Sequence, residues 1–225
     1  MSRRPLRLSL LAVLCSLGIG PAVAQDHSHH QHHQHHAPAP DAAAKAPAPA
    51  DVKYADTQLV DQNGRKLKLK SEVFGDRLVV IDFAYTNCTT ICPVLTSLLA
   101  KVQDGLGSRL GQEVSLVTIT VDPARDTPPR LKEYAAKHGV KPGWLWLTGP
   151  TGTVNETLKG FGAYAVNFED HPPMVLVGDP KTNQWTRFFG FSDPKTILAK
   201  VDELTHARHM AGGQGSPADH SHHKH

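Results

Sequence analysis

A chain of 225 residues, 40% hydrophobic and 20% charged, suffices for one domain of ordinary size plus tails. Its formal charge of +3 comes from Arg3, Arg4 and Arg7 at the very start; the remaining Lys and Arg equal the 21 Asp and Glu in number. That balance leaves no basic surface to argue for nucleic acid, and no later run is long and apolar enough to span a bilayer.

The three arginines precede an apolar run over residues 8–19, and Pro21-Ala22-Val23-Ala24 supplies a small-residue exit before Gln25. Residues 1–24 therefore read as a secretory signal peptide. The expected location is periplasmic or otherwise extracytoplasmic, soluble after cleavage and membrane-anchored if the signal stays uncleaved. Ser2-Arg3-Arg4 with Leu6 also fits a loose twin-arginine signal, which exports folded chains. Residues 25–51 form an arm, mostly histidine over 26–36 and then alanine and proline, a composition that reads as disordered. Residues 211–225 mirror it as a flexible tail carrying His220, His222, His223 and His225. Both runs are interrupted by other residues, which favours natural metal-scavenging tails.

Between the arms, residues 52–210 read as a single α/β domain. Residues 57–60 and 65–69 form a hairpin around Asp61-Gln62-Asn63-Gly64. The apolar run 78–85 is a buried strand. A helix follows from about Cys92, with Pro93 in its first turn and Val94, Leu95, Leu98, Leu99 and Val102 on its apolar face. Residues 114–121 are another buried strand. Thr127-Pro128 opens a second helix with Leu131, Tyr134 and Ala135, and Gly139 should end it. A strand over 144–147 precedes a helix reaching Phe161, for which Thr153 and Glu156 form a capping box. Residues 174–177 and 185–189 read as a closing hairpin across Asp179-Pro180-Lys181. Ser192 or Asp193 with Pro194 starts the last helix, where Ile197, Leu198, Val201 and Leu204 recur at helical spacing. This order predicts a thioredoxin-like fold: an N-terminal β-hairpin, then a central mixed sheet flanked by helices.

Cysteine usage carries the chemistry. Cys15 leaves with the signal, so Cys88 and Cys92 stand alone in an oxidising compartment. Cys88 falls in the loop after a central strand, where open α/β sheets bind ligands, and Cys92 begins the next helix. A four-residue spacing lets two sulfurs converge, and a helix N-terminus favours thiolate. Two exposed thiolates make either a redox couple or a clamp for a soft metal such as Cu(I) or zinc. Thioredoxin-type oxidoreductases have two residues between their cysteines; here Thr89, Thr90 and Ile91 make three.

The stretch Asp82-Phe83-Ala84-Tyr85-Thr86-Asn87-Cys88-Thr89-Thr90-Ile91-Cys92-Pro93 resembles the Sco/SenC family of copper proteins that serve cytochrome c oxidase assembly. The same holds for Val117-Thr118-Ile119-Thr120-Val121-Asp122-Pro123 with Arg125-Asp126-Thr127, and for Asp170-His171 ahead of residues 174–178. The resemblance implies copper, Cu(I) or Cu(II), held by Cys88, Cys92 and His171. It also implies the apo copper-binding subunit of cytochrome c oxidase as partner, with another copper chaperone or a thiol reductant as further candidates. The function it implies is an exported metallochaperone, which needs no covalent substrate chemistry. The alternatives are a thiol-disulfide oxidoreductase, with Cys88 attacking and Cys92 resolving, and a copper buffer working through the histidine tails. Pro173 sits where thioredoxin-like oxidoreductases carry a cis-proline, or else forms a rigid trans turn. Asp122 and Asp126 are read as turn and capping residues. Glu169 and Asp170 form an acidic loop, either solvated or docking a positively charged partner. His138 is an ordinary helix-end residue, and Trp144 and Trp146 with Phe161, Phe188, Phe189 and Phe191 are core or barely exposed.

Overall fold

The computed structural model describes residues 45–213; the segment read as a signal, the histidine run of the arm and the tail histidines lie outside them. Its first strand, β1 (Ala48–Pro49), falls within the stretch read as arm. It pairs antiparallel with Thr186 and Arg187, the Ala50 N–H donates to the Trp185 carbonyl, and Val52 is buried. Composition missed this because the segment is recruited by backbone hydrogen bonds at a sheet edge, a place where proline is tolerated.

The hairpin is β2 (Gln58–Asp61) and β3 (Lys66–Lys68), closed by Asp61, whose buried carboxylate accepts from the Asn63 and Arg65 amides. A π-helical turn, Leu69–Phe74, follows and buries Leu69, Val73 and Phe74. Then come β4 (Leu78–Ala84), α1 (Ile91–Leu106), β5 (Val114–Thr120), α2 (Pro128–Lys137), β6 (Trp144–Thr148) and α3 (Thr151–Phe161). The chain ends in β7 (Met174–Asp179), β8 (Gln184–Phe189) and α4 (Pro194–Gly213), which continues through Gly212, a residue the sequence reading placed in the tail. As expected, α2 stops where Gly139 takes a positive φ of 68°. The capping box on α3 does not form: the helix starts earlier, after Pro150, with no side-chain cap.

The eight strands among the described residues lie in one sheet, ordered β1-β8-β7-β4-β5-β6-β2-β3. The β4–β5 and β5–β6 pairs are parallel and the β4–β7 and β7–β8 pairs antiparallel, giving a mixed sheet of the thioredoxin-like kind with a hairpin added at one edge. Strand alternation sorts the core. Leu78, Val80 and Ala84 face α1, α2 and α4 together with Leu116, Trp144 and Trp146; Val79, Ile81 and Phe83 face α3 and the π-turn with Val117, Ile119 and Phe161. Phe188 is buried as well, while Phe189 and Phe191 are partly exposed. Along α1 the inward stripe is Cys92, Leu95, Leu99, Val102 and Leu106. That phase turns Val94 outward, to 47% exposure, against the expectation that it faces the core.

Candidate metal and dithiol site

The β4–α1 loop leaves the sheet at Ala84 and is tied down at once. Asp126, only 1% exposed, accepts from the Thr86 amide at 3.1 Å, the Thr86 hydroxyl at 2.5 Å and the Thr120 hydroxyl at 2.6 Å. It anchors the cysteine loop to the end of β5 and is not a helix cap. Asp122 does form the turn expected of it, its carbonyl accepting from the Arg125 and Asp126 amides.

Beyond that anchor the Cys88 amide bonds the Tyr85 carbonyl at 3.2 Å, and the chain enters α1 with no side-chain cap. The first turn of a helix leaves amide donors unpaired, and here the Cys88 sulfur receives them. The Cys92 N–H donates to Cys88 Sγ at 3.2 Å, and the Thr90 and Ile91 amides also point at it. Both cysteines are free thiols and both are buried, at 7% and 2% exposure, so the expectation of two exposed thiolates is corrected. Cys92 occupies the core stripe of α1, and Cys88 lies beneath the first turn.

The two thiols are unequal. Burial works against a Cys88 thiolate, but the Cys92 side chain and the three amides outweigh it and lower its pKa. Burial pushes Cys92 far up, and the neighbouring Cys88 sulfur and Asp82 carboxylate add to the rise. Cys88 is therefore the first thiolate, and Cys92 keeps its proton until something displaces it.

Tyr85 stands beside them. Burial, then the charge and the hydrogen bond of Cys88, raise its hydroxyl to about 12. Its ring lies 5.0 Å from Phe168 and 6.1 Å from His171, so the tyrosine bridges the dithiol and the histidine loop. That loop is a short 3-10 turn, Phe168–Asp170, started by Asn167, with Glu169 and Asp170 exposed.

His171 follows that turn. In the antiparallel β4–β7 ladder Asp82 faces Val175, and extending this register sets His171 opposite Thr86, at the same end of these strands as the cysteine loop. Its Nδ1 lies 2.6 Å from the Phe168 carbonyl and its Nε2 3.2 Å from the Phe83 carbonyl. Both ring nitrogens thus face carbonyl oxygens, each of which can accept an N–H from the ring. Among the described residues no three His, Cys, Asp or Glu side chains converge closely enough to hold a metal, so the structure does not bring His171 and the two cysteines together as a ligand set. The donor set suits a soft metal: two sulfurs, one already favouring thiolate, and an imidazole oriented by a carbonyl.

Beneath the dithiol lies a residue the sequence reading passed over as a catalytic or binding candidate. Asp82 is fully buried, its Oδ1 accepting from Thr118 at 2.5 Å and its Oδ2 without a partner. Burial, offset only partly by the Thr118 hydroxyl, raises it to about 7. The available signal was one acidic residue inside an otherwise apolar strand. Pro173 is trans, as is every described peptide bond, and its carbonyl accepts from Gly190 at 2.8 Å; the cis-proline alternative does not occur. His138 ends α2 with its ring 4.4 Å from Tyr134, and burial lowers its pKa, in line with an ordinary role.

Comparison with known proteins gives one consistent answer. Residues 45–206 match the family described as SCO1/SenC. The chain is 30% identical over 153 residues to the SCO2-like protein of Rickettsia felis, covering 64% of this chain and 72% of that one. Its fold superposes on the crystal structure of yeast Sco1 with copper bound, with a TM-score of 0.54 at 25% identity over 78% of this chain and all of that one. It also superposes on BsSco, described as having a disulfide switch and as a member of the Sco family of cytochrome c oxidase assembly proteins. There the TM-score is 0.59 at 25% identity, over 69% of this chain and 95% of that one.

Proposed function

The chain belongs to the SCO1/SenC family, and on that premise we propose that it is an exported copper chaperone for assembly of the binuclear copper site of cytochrome c oxidase. Copper is its cargo, taken by Cys88, Cys92 and His171. The observation that carries the reading is the pair of unequal thiols at the first turn of α1, with His171 at the same end of the β4–β7 pair. Cys88 offers a thiolate at little cost, and metal binding at Cys92 releases its proton. Turning the His171 ring away from the Phe83 carbonyl completes a two-sulfur, one-nitrogen set. The partner is the apo copper-binding subunit of the oxidase, and the setting is extracytoplasmic, in keeping with the leader over residues 1–24. Among the described residues no helix is long and apolar enough to cross a membrane.

A second reading draws on the same asymmetry. A low-pKa Cys88 beside a protonated Cys92 also suits a thiol-disulfide oxidoreductase. Cys88 thiolate would attack a disulfide of the oxidase subunit, releasing one of its thiols and forming a mixed disulfide; Cys92 would then attack the Cys88 sulfur, displacing the second thiol and leaving a Cys88–Cys92 disulfide.

Copper titration of the full chain separates the two, read by thiolate-to-copper charge-transfer absorption, which imidazoles of the tails do not produce. The chaperone reading expects one copper per chain at this band. The band should vanish in Cys88→Ser, change in His171→Ala, and fade as copper passes to the apo subunit. Absence of the band, with disulfide reduction intact in His171→Ala, turns the assignment to the oxidoreductase. Most copper bound without the band would favour a buffer working through the tails.

A further inference from the structure

The last helix carries a set of metal donors that the dithiol site does not use. His206, His209 and Met210 are all exposed near the end of α4, Met210 at 57%. At 100° per residue the three fall within an arc of about 100° on the side opposite Arg208. Arg208 fixes that rotation: it bonds the Asp179 carboxylate at 2.5 and 2.7 Å and the Asp76 carbonyl at 2.5 Å. Side chains three and four positions apart on a helix are direct neighbours, so His206 can share one ion with both His209 and Met210.

The rest of this face leaves the imidazoles available. Asp202 is held by Arg109 at 2.6 Å and Glu203 by Lys200 at 2.8 Å. Among the described residues neither histidine has a hydrogen-bond or ion-pair partner, and the tail with its four further histidines begins a few residues on. A thioether exposed beside two imidazoles selects for copper: imidazole serves either oxidation state, and sulfur favours Cu(I) over zinc.

We propose that His206, His209 and Met210 form a second copper site on α4, separate from the dithiol. Arg208 seats this helix end against Asp76 and Arg77, at the start of β4, whereas the cysteine loop leaves the other end of that strand. A seven-residue strand sets the two roughly 20 Å apart, too far for a shared ion. The domain can therefore hold copper on the helix while both thiols stay free.

The test is residue-resolved histidine carbethoxylation of the full chain, read by mass spectrometry, with and without Cu(II), Cu(I) under nitrogen, or Zn(II). Copper should slow modification of His206 and His209 together, at one shared midpoint, and should do so equally in Cys88→Ser/Cys92→Ser. His206→Ala should raise the copper midpoint at His209 by about tenfold, which corresponds to roughly 1.4 kcal/mol. Met210→Ala should weaken protection by Cu(I) and leave protection by Zn(II) unchanged. Unaltered His209 reactivity under copper concentrations that protect the tail histidines would overturn the proposal. So would a copper midpoint at His209 left unchanged by His206→Ala, since that would place the ion with the tail.

Discussion

Replacing Asp82 by Asn should make the domain more stable at neutral pH and less stable in mild acid. The wild-type carboxyl rises from 3.8 to about 7 because burial disfavours its charge, and the Thr118 hydroxyl and its own backbone amide compensate only in part. The folded state therefore favours the protonated acid. That contribution is fully present below pH 3.8, is lost as pH rises toward 7, and is flat above it. About three units at 1.36 kcal/mol each puts the loss on the order of 4 kcal/mol across the window. Asparagine keeps the acceptor for Thr118 but sets an amide donor where Oδ2 has no partner, at a cost of about 1–3 kcal/mol. The two stability curves should cross between pH 4 and 7, with the variant ahead by about 1–3 kcal/mol above the crossing. Urea unfolding of both proteins under reducing conditions, in half-unit steps across this range, measures the difference. Parallel curves would refute the reasoning and mean that Asp82 titrates as an ordinary carboxylate.

Asp126→Ala strands the Thr86 amide and two hydroxyls and should cost about 2–4 kcal/mol in chemical denaturation. With its anchor gone, the Cys88 loop should also alkylate faster, and an unchanged rate would separate the anchor from the site. Iodoacetamide should modify Cys88 at a pH below the ordinary thiol range, because the helix amides and Cys92 stabilise its thiolate. In Cys88→Ser, by contrast, Cys92 should react only at markedly higher pH, since burial dominates its rise; equal profiles for the two single-cysteine proteins would remove the asymmetry. Gly178→Ala would place a Cβ 2.1 Å from the Trp185 ring and should destabilise the β7–β8 pair by about 1–3 kcal/mol, seen as a lower melting temperature.

Local chemistry made much of this protein legible without coordinates. The run 78–85 contains β4 because a strand buried on both faces needs apolar residues throughout, and the leucine spacing of α1 reports its inward stripe. The cysteine spacing likewise placed two sulfurs at one helix end. Other features depend on neighbours distant in sequence. Ala48–Pro49 are a strand only because β8 offers an open edge. Asp126 is an anchor because Thr86, 40 residues away, reaches it. Tyr85 lies against Cys88 and the His171 ring because β7 returns antiparallel to β4, a pairing between residues more than 85 apart. The inequality of the thiols also belongs to the fold. Sequence assigns both cysteines the same intrinsic acidity, and they diverge because folding aims amide dipoles at Cys88 and buries Cys92 beside Asp82.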